Sequence, residues 1–216
     1  AALSLWPRRA APPMVPPRPE DQMTREMTRN QPALDFLASR RSVPPKLLTG
    51  PAPGHAQLTE LLTLAARCPD HGMLVPWRFI VLEEPALRRL GAGIGRIGAG
   101  QGRDPAEIAK AQAVYATSPL AVAVVSAPQS PAKIPESEQI LSAGAVCLSL
   151  LNAALAAGWA AGWVSGWASL DRPYLPPLLG LAGHEAIAGM IHIGTGPAQA
   201  DRPRPDLAAI TTWLAE

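Results

Sequence analysis

Apolar side chains recur at Leu58, Leu61, Leu62, Ala65 and Ala66, the three-and-four spacing that predicts a helix with one buried face over residues 55–68. A different pattern governs "LAVAVVSA" at 120–127. This continuous β-rich run has no polar face and predicts a central strand covered on both sides. "WRFIVLEE" at 77–84 and "AIAGMIHIGT" at 186–195 read as further strands, and "GWVSGWA" at 162–168 as a shorter fourth. Helices are predicted at 31–40, with Leu34 and Leu37 on one side, at 85–97 with Pro85 in the first turn, at 104–116, at about 138–158 and, briefly, at 171–180. "RSVPPKLLTGPAP" at 41–53 is a Pro-punctuated loop. Four strands separated by helices predict an α/β or α+β sandwich whose sheet is covered on both faces.

The pattern is absent from residues 1–30, where Pro12, Pro13, Pro16, Pro17 and Pro19 forbid a continuous helix or strand. This stretch is expected to be an extended or disordered tail, with no sustained apolar core of a signal peptide, ahead of one folded domain at 31–216. The segment from Ser142 to Trp163 is long enough to raise a membrane span. Its many small residues, among them Ala143, Gly144, Ala145, Ala153 and Ala154, instead suggest a buried helix that approaches its neighbours closely, in the core or at a dimer interface.

Composition sharpens that picture. Only 17% of residues are charged while 48% are hydrophobic, so oligomerisation is expected to cover part of the surface. Nineteen basic and seventeen acidic residues leave a net charge of +2, scattered along the chain, which is no electrostatic footprint for nucleic acid. Cys68 and Cys147, far apart and forming no framework, favour a reducing compartment, hence the cytoplasm.

Several residue groups invite a chemical reading. "GIGRIG" at 93–98 matches the dinucleotide-binding spacing, but it does not directly follow a strand and no acid lies about 20 residues on, so it reads as a flexible Gly-rich connection. Arg67, Cys68, Asp70 and His71 fall within five positions. A metal site would need more ligands than Cys68 and His71, and their spacing does not secure the geometry of a nucleophile and its base. His192, inside a strand, reads as a packed core histidine, and Trp163 and Trp167 as packing. Arg202 and Arg204 read as solvated loop charges. Arg40, Arg41 and Ser42, at a helix end, can make several charge-assisted bonds to a phosphate.

Four stretches taken in order, "LASRRSV" at 37–43, "AARCPDHGMLVPWRFIVLE" at 65–83, "AALAAGWAAGWVSG" at 153–166 and "IAGMIHIGTGP" at 187–197, resemble the nitroreductase family, most closely its small NAD(P)H nitroreductase branch. The resemblance implies an α+β fold, a three-layer α/β/α sandwich with a central, mainly antiparallel sheet. It also implies an FMN-dependent homodimer with the flavins at the subunit interface. Arg40, Arg41 and Ser42 would contact the FMN phosphate and ribityl chain, Arg67 and His71 would meet the flavin, and Trp163, Val164 and Ser165 would lie along its ring system. Arg202 and Arg204 would complete the phosphate site, and Lys46, Arg41 or His71 would place positive charge near the pyrimidine end of the ring. The implied activity passes two electrons from NAD(P)H through FMN to nitroaromatics, quinones or other electron-poor acceptors, with no catalytic side chain and no metal. A flavin-binding or sensing module without efficient turnover is the alternative. Val75, Val164 and the Pro44–Pro45 pair depart from the family pattern and bear on substrate preference.

Overall fold

The computed structural model describes residues 28–130, 133–170 and 178–215. Most of the expected tail at 1–30 and of the short helix expected at 171–180 lies outside them. The elements are α1 (Gln31–Ser39), α2 (His55–Ala65), β1 (Trp77–Glu83), α3 (Glu84–Gly100), α4 (Pro105–Thr117), β2 (Leu120–Ser126), α5 (Glu136–Ala156), β3 (Ala160–Val164), α6 (Trp167–Leu170), β4 (Ala186–Gly194) and α7 (Leu207–Ile210). Local chemistry explains several starts. The Asn30 side chain accepts from the Ala33 N–H, the Asp104 carboxylate accepts from the Ala106 N–H, and proline opens α1, α3 and α4 where no intrahelical donor is needed.

The strands form one sheet in the order β1-β2-β4-β3, antiparallel at every step, with Phe79 opposite Val124, Val122 opposite Ile191 and Gly162 opposite His192. Alternation along β2 divides its apolar run between two cores. Leu120, Val122 and Val124 pack with Ile191 and Ile193 against α2 and α5, while Ala121 and Ala123 pack with Met190 against α3 and α4. The result is an α/β/α sandwich of the α+β class, with β2 fully buried as its uninterrupted pattern requires. Arg78 on β1 reaches past β2 to Glu185, just ahead of β4, through two 2.6 Å bonds, and that pairing holds the Glu185 carboxyl at about 2.

One expectation is corrected. The Gly-rich stretch at 93–98 is no flexible connection but the middle of α3, which runs unbroken from Glu84 to Gly100. Its glycines let two helices close: a Cβ on Gly91 would meet Tyr115, one on Gly95 would run into Gln112, and one on Gly98 would come within 2.7 Å of Ile108, all on α4.

α5 is long and apolar enough to cross a membrane by length and composition. It nevertheless lies along the sheet, burying Ala143, Val146, Cys147, Leu150, Leu151 and Ala154. Its outward side remains apolar, with Leu141 and Leu148 exposed. α1 buries none of its side chains, and the C-terminal arm leaves Leu207, Ile210, Trp213 and Leu214 in the open.

Candidate functional site

Beyond α1 the chain runs along the outer side of β3, where the Val43 N–H donates to the Ala161 carbonyl at 2.8 Å. This anchors Arg40, Arg41 and Ser42 beside the start of β3, and the segment after β4 returns Arg204 to the same corner. Burial, and then the nearby Arg204 and Arg41 cations, lower the Arg40 pKa below its ordinary value. Arg40 Nη2 donates to Ser42 Oγ at 2.9 Å, but the Nε atoms of Arg40 and Arg41 are buried with no hydrogen-bond partner among the described residues. Among the described residues one carboxylate, that of Asp201, attends the group. Asp201 accepts from Arg204 at 3.1 Å and from the Arg202 backbone N–H, which is the main reason its pKa is lowered; the Arg202 side chain is exposed. Two buried donors without acceptors among crowded cations form a site shaped for an anion.

Farther along the same edge strand, Val164 is half-buried and Ser165 exposed. The Trp163 indole lies against Gly189, where a Cβ would collide with it. Val164, Ser165 and Trp167 face Val114 and Tyr115 of α4 across a cavity of about 280 Å³, with Arg103 stacked 4.3 Å above the Trp167 ring. Trp167 therefore packs as expected, whereas Trp163, though its indole lies against Gly189, is 39% exposed. His192 is a fully buried core residue, its ring edge-on to Tyr115 at 5.6 Å.

Arg67 and His71 occupy the opposite corner of the sheet. They precede β1, whose Trp77 end lies across three inter-strand steps and a strand's length from the start of β3, a separation of roughly 25 Å. Within one chain they do not converge with Arg40, Arg41, Ser42 and Arg204 on one small ligand. At this corner His71 Nδ1 meets Glu138 Oε2 of α5 at 2.8 Å, and Asp70 Oδ2 accepts from the Val75 N–H at 2.7 Å. Burial raises the Cys68 thiol pKa, which disfavours its reactive thiolate form, and Sγ lies 3.9 Å from the Ser142 carbonyl. Among the described residues no group of three or more His, Cys, Asp or Glu could hold a metal ion. Glu138 and the α4 wall of the cavity escaped the sequence reading. Glu138 lies 67 positions from His71, and nothing local connects the two.

Comparison with known proteins identifies the family. The family model described as "Nitroreductase family" matches residues 37–195, most of the folded chain. The chain belongs to the nitroreductase family. It is 33% identical over 163 residues to the Escherichia coli K12 protein named "Putative NAD(P)H nitroreductase YdjA", covering 76% of this chain and 87% of that one. Among solved structures it resembles the nitroreductase-like family protein of Bacillus cereus, with a TM-score of 0.70 and 21% identity over 88% of this chain and 100% of that one. A nitroreductase from Desulfovibrio desulfuricans, described as putative and solved in complex with FMN, aligns with a TM-score of 0.67 and 22% identity over 87% of this chain and 98% of that one. These structural neighbours share the nitroreductase fold.

Proposed function

We propose that residues 31–216 form an FMN-dependent NAD(P)H oxidoreductase that passes two electrons to nitroaromatics, quinones or similar electron-poor acceptors. It works as a cytoplasmic homodimer with FMN at the subunit interface. The observation that carries this reading is the cationic corner, where three guanidinium groups face one carboxylate and two buried Nε–H donors have no acceptor. A phosphate fits that chemistry. It would accept from both Nε–H groups and from the Ser42 hydroxyl, whose oxygen already accepts from Arg40 and whose own proton is left to donate. Each such bond is worth about 1.5–3 kcal/mol, and the anion would relieve the repulsion among Arg40, Arg41 and Arg204. Arg202 would add long-range attraction from the exposed loop.

Trp163, Val164 and Ser165 would flank the ring system along β3, and Arg67 and His71 of a second copy would close the site from its other side. The roughly 25 Å between the two corners supports a site shared between two chains, as do the apolar outer side of α5 and the exposed C-terminal arm. FMN, when bound, supplies the two-electron relay between nicotinamide and acceptor. The protein's part is to hold it, exclude water and place cations from Lys46 or Arg41 where negative charge accumulates.

The test is the visible spectrum of the purified protein, then anaerobic addition of NADH or NADPH. A yellow protein bleached by either nucleotide is expected, and replacing Arg40 and Arg41 together with Ala should leave it largely colourless. A protein that gains no flavin from added FMN overturns the reading. A yellow protein that neither nucleotide bleaches points to a binding or sensing module.

A further inference from the structure

We propose that Glu138 is a positioning residue that fixes the ring and tautomer of His71, so that His71 Nε2 is offered to the bound cofactor as a hydrogen-bond acceptor. The proposal rests on the flavin reading above and adds a residue to it.

The segment from Asp70 to Val75 is held in a costly conformation. Met73 and Val75 have φ of 53° and 48°, the left-handed region that side-chain-bearing residues avoid, and Val75 is β-branched. Both side chains are exposed, at 85% and 57%, so no core packing compensates for the strain. Two tethers compensate instead, for Asp70 Oδ2 accepts from the Val75 N–H and Gln129 Nε2 donates to the Leu74 carbonyl, while at the head of the segment Glu138 Oε2 meets His71 Nδ1. Strain over-determined in this way belongs to places where an exact presentation matters, and the residue presented at the head of this segment is His71.

Glu138 contributes the last degree of order. The His71 and Glu138 side chains are 66% and 48% exposed, and a pair so open to water adds little to stability. Its effect on the imidazole is specific all the same. An ionised carboxylate only accepts, so the proton between the two groups resides on Nδ1. In the neutral ring the lone pair is then on Nε2, on the side away from Glu138, ready to accept from an N–H or O–H of the ligand. Without Glu138 the ring turns freely and either nitrogen can carry the proton.

The experiment uses the full chain with histidine ¹⁵N-labelled, first free of flavin and then titrated with FMN by fluorescence. In the flavin-free protein the His71 resonance, assigned by its loss in His71→Ala, is expected to report the Nδ1–H tautomer, and Glu138→Ala should abolish that preference. In the titration each of His71→Ala and Glu138→Ala is expected to weaken FMN binding about tenfold, the loss of one hydrogen bond involving a charged or strongly polar group. The double variant should bind no more weakly than His71→Ala alone, because Glu138 acts through the ring. Additive losses, or an Nε2–H ring in the parent protein, overturn the proposal and leave the flavin reading intact. A parent protein that binds no FMN overturns both.

Discussion

His192 shows how much one buried ring determines. It sits in β4 with no exposed surface, neither nitrogen has a hydrogen-bond partner among the described residues, and burial pushes its pKa down to about 4. In the unfolded chain the ring titrates near 6.5. The folded form therefore takes up a proton less readily than the unfolded form. Its contribution is fully present above about pH 6.5 and is lost as the pH falls toward 4, a change of roughly 3 kcal/mol across that window. Urea denaturation at pH 7.5 and 4.5 measures it: His192→Leu should lose less stability between the two pH values than the parent protein by about that amount. The burial of His192 was legible from its place in an apolar strand. Its lack of any partner was not, because that depends on which side chains of α3 and α4 reach it.

At the scale of elements, legibility followed the strength of the local pattern. β2 was readable because it is surrounded by its own chain, and α2 because it buries a single face, so periodicity and burial agree in both. Most of α3 was expected as a helix at 85–97, but its Gly-rich stretch at 93–98 was misread because glycine lowers helix propensity and the sequence does not announce what the gaps accommodate. The neighbouring helix supplies the reason, and it predicts opposite signs for two similar substitutions. Alanine is favoured over glycine by up to about 1 kcal/mol in a helix. At Gly100 a Cβ meets nothing within 4 Å, so Gly100→Ala should stabilise by a few tenths to about 1 kcal/mol. At Gly98 the added atom would lie 2.7 Å from Ile108 and 3.0 Å from Trp167, so Gly98→Ala should destabilise by about 1–3 kcal/mol despite the better propensity. Thermal melts of the two variants beside the parent protein decide it, and equal shifts of the same sign would contradict close packing of α3 on α4.

For the whole molecule, the candidate site was legible as a list of residues and not as a place. Arg40, Arg41, Ser42 and Arg204 come together although more than 160 positions separate the first from the last, and Arg67 and His71 lie at the far corner of the same sheet. No local spacing encodes which groups one protomer contributes and which its partner would. A dimer built on the outer side of α5 makes a distinctive prediction from this division. Leu148 is 47% exposed and outside the core of its own chain, so Leu148→Glu should leave the protomer folded, with an unchanged far-ultraviolet spectrum and a melting shift of only a few degrees. Facing a second copy, the same carboxylate would be buried without a partner, a penalty of several kcal/mol at each of two symmetric positions. Light scattering should then report a monomer where the parent protein is a dimer. FMN should be lost in parallel, although every residue of the cationic corner is intact, because the monomer lacks Arg67 and His71 of a second chain. Retention of FMN by a folded monomer would mean that a single chain holds the cofactor through its cationic corner alone.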